Sequence, residues 1–179
     1  MAKERGRPER GLRRSRPVTQ PLEVAACLSL VLACTASGQR ASWRHDQELL
    51  IVEAVLLDLA EMPPMSDGDL RTVFCVGVGE NIGTSAQDPE PALLEALRRK
   101  RANVLPASSC EMKRTLMRRG GSEHAILLGV GQLEWKSDGF VHVVGWRFVS
   151  PAAAAEYAYT LSLSQGRWTV DTCKLISFA

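Results

Sequence analysis

The sequence lacks the spacings that would assign a chemistry to it. Its three histidines lie far apart, and neither an H-x-x-x-H pair nor a C-x-x-C pair occurs, so the ligand patterns of a zinc site are missing. No apolar run approaches the ~20 residues with which a helix crosses roughly 30 Å of hydrocarbon. We therefore predict no metal, no cofactor, no catalytic set and no membrane-spanning helix.

A surplus of charge is also missing from most of the chain. The chain has 22 basic and 20 acidic residues, but seven of the basic and three of the acidic ones lie in residues 1–34. The remainder holds 15 basic and 17 acidic residues, a balance of −2. Nucleic-acid-binding domains usually carry a basic surplus, because neutralising phosphates supplies most of their affinity. We predict that nucleic acid is not a partner.

The N-terminus carries the most informative pattern that is present. A basic head precedes an apolar run of about ten residues, Val24 to Ala33, which has the length of the apolar region of an export signal. The run ends in Val31-Leu32-Ala33-Cys34, which resembles the lipobox of bacterial lipoproteins. The resemblance implies that Cys34 is lipidated and begins the mature protein, so that the membrane is a partner through this anchor. The residues of the basic head are Lys3, Arg5, Arg7, Arg10, Arg13, Arg14 and Arg16.

Other interpretations of this leader stay open. A plain signal peptide would be cleaved near Ala36 to Gly38, an uncleaved segment would anchor the chain, and Val24-Ala25-Ala26-Cys27 is a competing lipobox match. A cytosolic protein with an accidental pattern is the remaining alternative. We predict an exported protein of the bacterial cell envelope, lipid-anchored or else secreted. Residues 1–34 are then the leader, residues 35–43 a small polar tether, and residues 44–179 one α+β domain.

The cysteines fit an exported protein. If the leader takes up Cys27 and Cys34, then Cys75, Cys110 and Cys173 remain, which allows one intramolecular disulfide and one free thiol. We favour a disulfide between Cys75 and Cys110. The alternative is three buried thiols that behave as small apolar groups.

Two helices are predicted in the first half of the domain. Apolar residues at spacings of three and four indicate an amphipathic helix over Gln47 to Glu61, which the prolines at 63 and 64 end. Leu70 to Val78 is typical of a strand. Asp88-Pro89-Glu90 predicts the start of a second helix, with Asp88 as its cap. Val104 to Ser109 is a short extended piece, which Pro106 confines to a sheet edge.

The second half of the domain alternates with period two. Four strands are predicted, at Ala125–Trp135, Phe140–Val149, Glu156–Ser164 and Arg167–Phe178. Asp138-Gly139 joins the first two with the positive φ that hairpin turns favour. A bulge near Asp171 would place the apolar residues of the last strand inside. These residues are Trp168, Val170, Cys173 and Leu175.

These elements predict an α+β fold in which the N-terminal helix packs on a curved, mainly antiparallel sheet with a C-terminal four-strand meander. The order resembles cystatin-like and NTF2-like cone folds, and this resemblance implies a ligand pocket on the concave face of the sheet. Short strings also resemble uncharacterised exported bacterial proteins, which implies no known activity. The strings are Val73-Phe74-Cys75, Asp88-Pro89 with Leu93, Leu94 and Leu97, Pro106 to Cys110, and Gly166 to Val170.

Two functions follow as hypotheses. The first is a non-enzymatic envelope protein that binds a protein partner or a small apolar ligand. The second is a small NTF2-like enzyme in which Glu134, His142 and Tyr157 would converge inside the curved sheet. The orientation of these side chains separates the two hypotheses. The candidate pocket-lining residues are Phe140, His142, Trp146, Tyr157 and Tyr159.

Overall fold

A computed structural model describes residues 22–63, 73–79 and 86–179, with side chains from residue 39 onward. The basic head of the leader and most of the two loops after α1 and β1 (defined below) lie outside the described residues, and so do the side chains of Cys27 and Cys34. The chain divides into two units, Met1–Ser42 and Trp43–Ala179. The second unit carries the sheet.

Helix α1 spans Leu22–Glu61. Its end agrees with the prediction, whereas its start lies far before Gln47 because no proline interrupts the chain from Leu22 onward. Residues 35–43, predicted as a tether, are helical and belong to it. No helix among the described residues is long and apolar enough to cross a membrane.

The remaining elements follow in chain order. They are β1 (Val73–Val78), α2 (Pro91–Lys100), β2 (Val104–Pro106), a 3₁₀ turn (Ala107–Ser109), β3 (Cys110–Met112), β4 (Leu116–Arg118), β5 (Ala125–Val130), β6 (Glu134–Ser137), β7 (Phe140–Ser150), β8 (Ala153–Ser164) and β9 (Arg167–Phe178).

Within the described residues, the main sheet has seven strands in the order β2-β1-β5-β7-β8-β9, and β6 also pairs with β7. The predicted meander is present: β5 and β6 together form its first strand, and every pairing from there to β9 is antiparallel. Strands β1 and β2 extend the sheet, and β1 runs parallel to both β2 and β5. The edge position predicted for the Pro106 strand is confirmed. The fold is therefore α+β with a mainly antiparallel, open sheet.

Helix α2 begins two residues later than predicted. Pro91 occupies its first turn and Glu90 is the N-cap, without a side-chain cap. The Asp88 carboxylate bonds instead to Ser108, which is twenty residues away in sequence. The cap prediction for Asp88 is wrong, because its two oxygens satisfy a residue of the 3₁₀ turn and not the first amides of the helix.

Two hydrophobic clusters lie on opposite faces of the sheet. The larger cluster packs α1 and α2 on one face, which we call the helix face; it includes Ile51, Leu56, Leu97, Leu128 and Leu161. The smaller cluster lies on the other face, which we call the hairpin face because the two-stranded β3–β4 sheet covers part of it. That cluster holds Cys75, Cys110, Leu116, Leu127 and Trp146 among others. The sheet is thus sandwiched over part of its area only.

The turns depart from the prediction in one place. Gln165 and Gly166, between β8 and β9, have φ values of 52° and 75°, as a tight hairpin turn requires. Gly139 has no positive φ, so that expectation is wrong. The ladder of β6 shifts register between Trp135 and Ser137, next to that turn, and such a bulge changes the local twist. The bulge predicted near Asp171 is confirmed, because Thr160 and Leu161 pair with Thr172 and Val170. The prediction that it places Cys173 and Leu175 inside is wrong, because both residues are exposed.

Candidate functional site

The predicted disulfide anchors the candidate site. Cys75 on β1 is bonded to Cys110 at the start of β3, with the two Cα atoms 6.4 Å apart. Cys75 is fully buried and Cys110 is nearly so. Cys173 carries a free thiol and is exposed. The bond therefore fixes the β3–β4 hairpin to the centre of the sheet.

The β3–β4 hairpin covers part of the hairpin face and forms one wall of the candidate site. Strands β3 and β4 pair with each other, Cys110 with Arg118 and Met112 with Leu116, and Met117 forms an isolated bridge to His124. The Arg119 amide donates to the Ser109 carbonyl at 2.8 Å. Leu116 is 4% exposed and packs on the sheet. No strand was predicted in this stretch, because three-residue strands give no measurable periodicity.

A cleft of about 570 Å³ opens between this wall, residues 86–88 and the sheet. Leu127 and Phe148 of the main sheet provide an apolar floor, and Leu116 and Cys110 line the cleft from the side of the hairpin. Polar residues line it as well, among them Asp88, Glu111 and Arg119. Its volume lies within the range of roughly 300–1,000 Å³ that small-molecule sites have. An apolar lining with a few polar groups is also typical of such sites.

Asp88 and Arg119 hold Ser108 from two sides. The Asp88 oxygens accept hydrogen bonds from the Ser108 amide at 2.8 Å and from its hydroxyl at 2.6 Å. Arg119 Nε donates to the Ser108 carbonyl at 3.1 Å, and its Nη2 donates to the Cys110 carbonyl at 3.5 Å. Because both charged groups touch the same residue, their opposite charges lie close together and partly compensate each other.

Glu111 also has a partner of its own. Its Oε1 lies 3.2 Å from Lys113 Nζ, and the hydrogen bond to Lys113 lowers the pKa of the Glu111 carboxyl. The acidic groups that line the cleft are therefore each satisfied by the protein. A cationic ligand would therefore find both carboxylates of this rim already engaged, and the Arg119 guanidinium is engaged with two backbone carbonyls.

Two of the five predicted pocket-lining residues, His142 and Tyr159, line the same depression, and the other three do not line it. Tyr157 and Tyr159 lie on the helix face and contact its core. Phe140, His142 and Trp146 lie on the opposite face, because β7 pairs with β8 so that Gly145 opposes Tyr157. Side chains of opposite parity in paired strands point to opposite faces of a sheet. The five side chains therefore do not share one face of the sheet, since the set combined even positions of β7 with odd positions of β8.

Trp146 is a core residue. It is fully buried in the cluster beside the disulfide, and its Nε1 donates to the Gly79 carbonyl at 3.3 Å. Phe140 and His142 contact each other edge to face, with ring centroids 5.3 Å apart. His142 lies in a shallow depression of about 330 Å³ on the open part of the hairpin face.

Glu134 and His142 are direct cross-strand neighbours. Both lie on the hairpin face, whereas the tyrosine side chains lie on the helix face. An ion pair with Lys136 lowers the pKa of Glu134, and His142 adds a smaller contribution. Glu134, His142 and Tyr157 thus do not converge in the way that the enzyme hypothesis requires.

Sequence reasoning missed a polar cluster at the C-terminal half of α1. The Tyr159 hydroxyl donates to Asp58 Oδ2 at 2.9 Å, and burial together with this neighbour raises the pKa of Tyr159. Partial burial of the Cys173 thiol raises its pKa, and the negative charge of Asp58 raises it further, whereas a hydrogen bond with Tyr159 lowers it. The signal in the sequence was the bulge at Asp171, which places Cys173 opposite Tyr159.

Arg147 is the buried cation of this half of the sheet. It is 2% exposed, its Nη1 donates to the Pro63 carbonyl at 2.9 Å, and its Nε has no partner. Burial lowers the pKa of its guanidinium. Among the residues with described side chains, no group of three His, Cys, Asp or Glu could hold a metal ion.

Comparison with known proteins adds no assignment. No protein-family model matches this chain, and neither a curated protein nor a solved structure matches it. Any functional proposal therefore depends on the residues themselves.

Proposed function

We propose that this chain is an exported, non-enzymatic binding protein that holds a small, uncharged and mainly apolar ligand in the cleft beside the disulfide. One observation carries the proposal: an open cleft of about 570 Å³ whose floor is apolar and whose acidic groups are already satisfied within the protein. The binding free energy of such a surface comes mainly from removing apolar surface of the ligand and of the cleft from water. The alternative is a protein partner that inserts an apolar side chain into the same cleft, and the test below distinguishes it from a small ligand.

The disulfide supports the exported location. Structural disulfides persist in oxidising compartments and are rare in the cytosol of most organisms, and Cys75–Cys110 is such a bond. We propose in addition that Cys34 carries the lipid anchor, as its lipobox-like surroundings imply. Labelling with a radioactive fatty acid should mark the wild type and not Cys34→Ala. Equal labelling of both would exclude the anchor at Cys34.

We also propose that the sheet and α1 form a cone of the cystatin-like or NTF2-like kind. The antiparallel meander from β5 to β9 and the packing of α1 on one face support this proposal. An experimental structure that showed an uncurved sheet would contradict it. The binding proposal does not depend on the outcome, because the cleft lies on the face opposite α1.

Ligand binding is tested with a set of uncharged aromatic and aliphatic fragments, followed by changes in the amide NMR signals. We expect changes confined to the neighbourhood of Leu116, Leu127 and Phe148. Ala107 lines the cleft, so a larger side chain at this position would occupy the space of the ligand. Ala107→Phe should therefore abolish those changes. Ala92→Phe, the same substitution at an exposed position of α2, is the matched control and should leave them intact.

Two results would contradict the binding proposal. One is that no fragment perturbs the cleft signals. The other is that Ala107→Phe and Ala92→Phe behave alike. Changes that appear only with a captured protein, and not with any fragment, would identify the cleft as a protein-docking site.

A further inference from the structure

We propose that the Cys75–Cys110 disulfide switches the cleft: the oxidised protein holds the cleft together, and reduction dismantles it. The inference rests on the binding function proposed above, since it concerns the regulation of the same site. It arises from the way in which the β3–β4 hairpin is attached to the rest of the protein.

The hairpin has little structure of its own. Each strand has three residues, and isolated two-stranded hairpins are marginal in water. Its pairings run between its own strands, apart from one isolated bridge from Met117 to His124. The hydrogen bonds of Arg119 reach Ser108, Ser109 and Cys110, which belong to the same short segment. These bonds close the segment on itself and do not tie it to the sheet.

Few contacts join this segment to the sheet. They include the disulfide to Cys75, the packing of Leu116, and the bonds from Asp88 to Ser108. On the other side, Arg118 bonds to Glu123 and Met117 bridges to His124, but Glu123 and His124 belong to the exposed link before β5. Asp88 and Ser108 are both exposed, so water competes for that pair. The disulfide is thus the strongest tie between the wall of the cleft and its floor, and breaking it frees the wall.

The exchange chemistry has one accessible sulfur. Cys75 is fully buried, whereas Cys110 is 7% exposed and lines the cleft, so a reductant reaches the disulfide from the cleft side. A thiolate of a dithiol reductant attacks Cys110 Sγ, the bond to Cys75 breaks, and Cys75 leaves as a thiolate that takes up a proton. The second thiol of the reductant then displaces Cys110, so the dithiol is oxidised and both cysteines end as thiols.

Two consequences follow for function. A chain that is still in a reducing compartment does not hold its ligand, so binding begins only after oxidation. A ligand in the cleft covers Cys110 and slows its reduction. The cleft and the redox state of the disulfide are therefore linked.

The switch is tested on the full chain carrying Cys173→Ser, so that one cysteine pair determines the response of the described domain. Amide hydrogen exchange is measured in the oxidised protein and after reduction with dithiothreitol. We expect the Arg118 and Arg119 amides, which bond to Glu123 and Ser109, to exchange roughly tenfold faster or more in the reduced protein, as local opening without global unfolding predicts. The amides of Val143 and Leu161 in the central sheet should stay much better protected than the hairpin amides, although they also exchange faster because reduction lowers the free energy of global unfolding.

A second measurement follows binding of Nile red, an uncharged apolar dye, to the same two forms. Fluorescence enhancement by the oxidised form that is lost on reduction supports the switch. If the oxidised protein does not bind the dye, the binding proposal is weakened while the exchange measurement still decides the switch. Equal exchange of Arg118 and Arg119 in both forms overturns the switch. So does loss of protection throughout the sheet on reduction, since the disulfide would then hold the whole fold and not the cleft alone.

Discussion

At the scale of single residues, the fold depends on a few close contacts that the sequence pattern does not show. Gly129 on β5 lies directly beneath the Trp146 indole, so that a Cβ atom at this position would overlap the ring. Asp58 reaches across from α1 to the tyrosine and cysteine that face each other on β8 and β9. Each of these contacts leads to a measurable prediction.

Gly129→Ala should destabilise the protein by about 1–3 kcal/mol, the usual cost of overpacking a well-packed core. The measurement is the free energy of unfolding from urea titration. Gly139→Ala is the control, because the nearest atom to its Cβ position lies 3.9 Å away. A similar loss of unfolding free energy in both variants would show that Trp146 is not in close contact with Gly129.

Asp58→Asn should lower the pKa of the Cys173 thiol, because the negative charge of Asp58 contributes to the raised value. The midpoint of the pH–rate profile for iodoacetamide alkylation should therefore move to lower pH, since more thiolate is present at a given pH. Glu61→Gln, an exposed acid on the same helix, is the control and should leave the midpoint unchanged. A midpoint that stays in place in Asp58→Asn would argue against the contact.

At the scale of elements, tryptophans fasten α1 to the strands beneath it. Trp168 on β9 is 5% exposed, and its Nε1 donates to Gln47 Oε1 at 2.9 Å. Trp135 on β6 donates to Glu48 Oε1 at 3.3 Å and meets Trp168 edge to face, with ring centroids 5.7 Å apart. These aromatic groups are structural, because their donors are used by the helix.

Trp168→Ala should cost about 3–5 kcal/mol of unfolding free energy, as expected for a buried tryptophan. Thr169→Ala, at the adjacent exposed position, should change stability by less than about 0.5 kcal/mol. Both are measured by urea unfolding with circular dichroism. A loss below about 1 kcal/mol for Trp168→Ala would mean that α1 is held in some other way.

At the scale of the whole molecule, the domain is one sheet with helices on one face and a small disulfide-bound wall on the other. The unit that carries this arrangement begins at Trp43. Its larger core includes residues of α1 from Ile51 onward and buried residues of β5, β7, β8 and β9. Strand β6 contributes the partly buried Trp135. Two properties of this unit can be measured: whether it folds without the first 42 residues, and how much the disulfide adds to its free energy of unfolding.

Residues 43–179 expressed alone should keep the sheet and unfold at the same urea concentration as the full chain, because the core lies within this unit. Far-ultraviolet circular dichroism and urea titration provide the comparison. A variant lacking residues 43–61 is the contrasting case and should fail to fold, since it loses the α1 side of the core. A fall in the midpoint for residues 43–179 would show that the first 42 residues stabilise the domain.

Replacing both Cys75 and Cys110 by serine should lower the free energy of unfolding by about 3–4 kcal/mol, because the bond closes a loop between residues that are 35 positions apart. Cys173→Ser serves as the parent variant for the comparison. The double variant and the chemically reduced parent should lose the same amount. Unequal losses would mean that the serines disturb the core beyond removing the bond.

Local patterns in the sequence indicated most of the elements. Period-two alternation predicted the meander, Pro63 marked the end of α1, Pro106 predicted an edge strand, and the parity change near Asp171 predicted a bulge. Cysteine counting favoured the Cys75–Cys110 bond. These features depend on a residue and its near neighbours along the chain, which is why they can be predicted without the fold.

The candidate site could not be predicted in this way. Which face of the sheet Tyr157 or Trp146 occupies depends on strand register, and a shift by one residue would exchange the faces. The cleft depends on where a three-residue hairpin comes to lie. The sequence alone thus determined the fold class and the meander, because both rest on local periodicity, and the cysteine count limited the domain to one intramolecular disulfide without fixing which pair forms it. Only the tertiary structure decided which side chains meet, because side-chain contacts across a sheet depend on long-range pairing between strands.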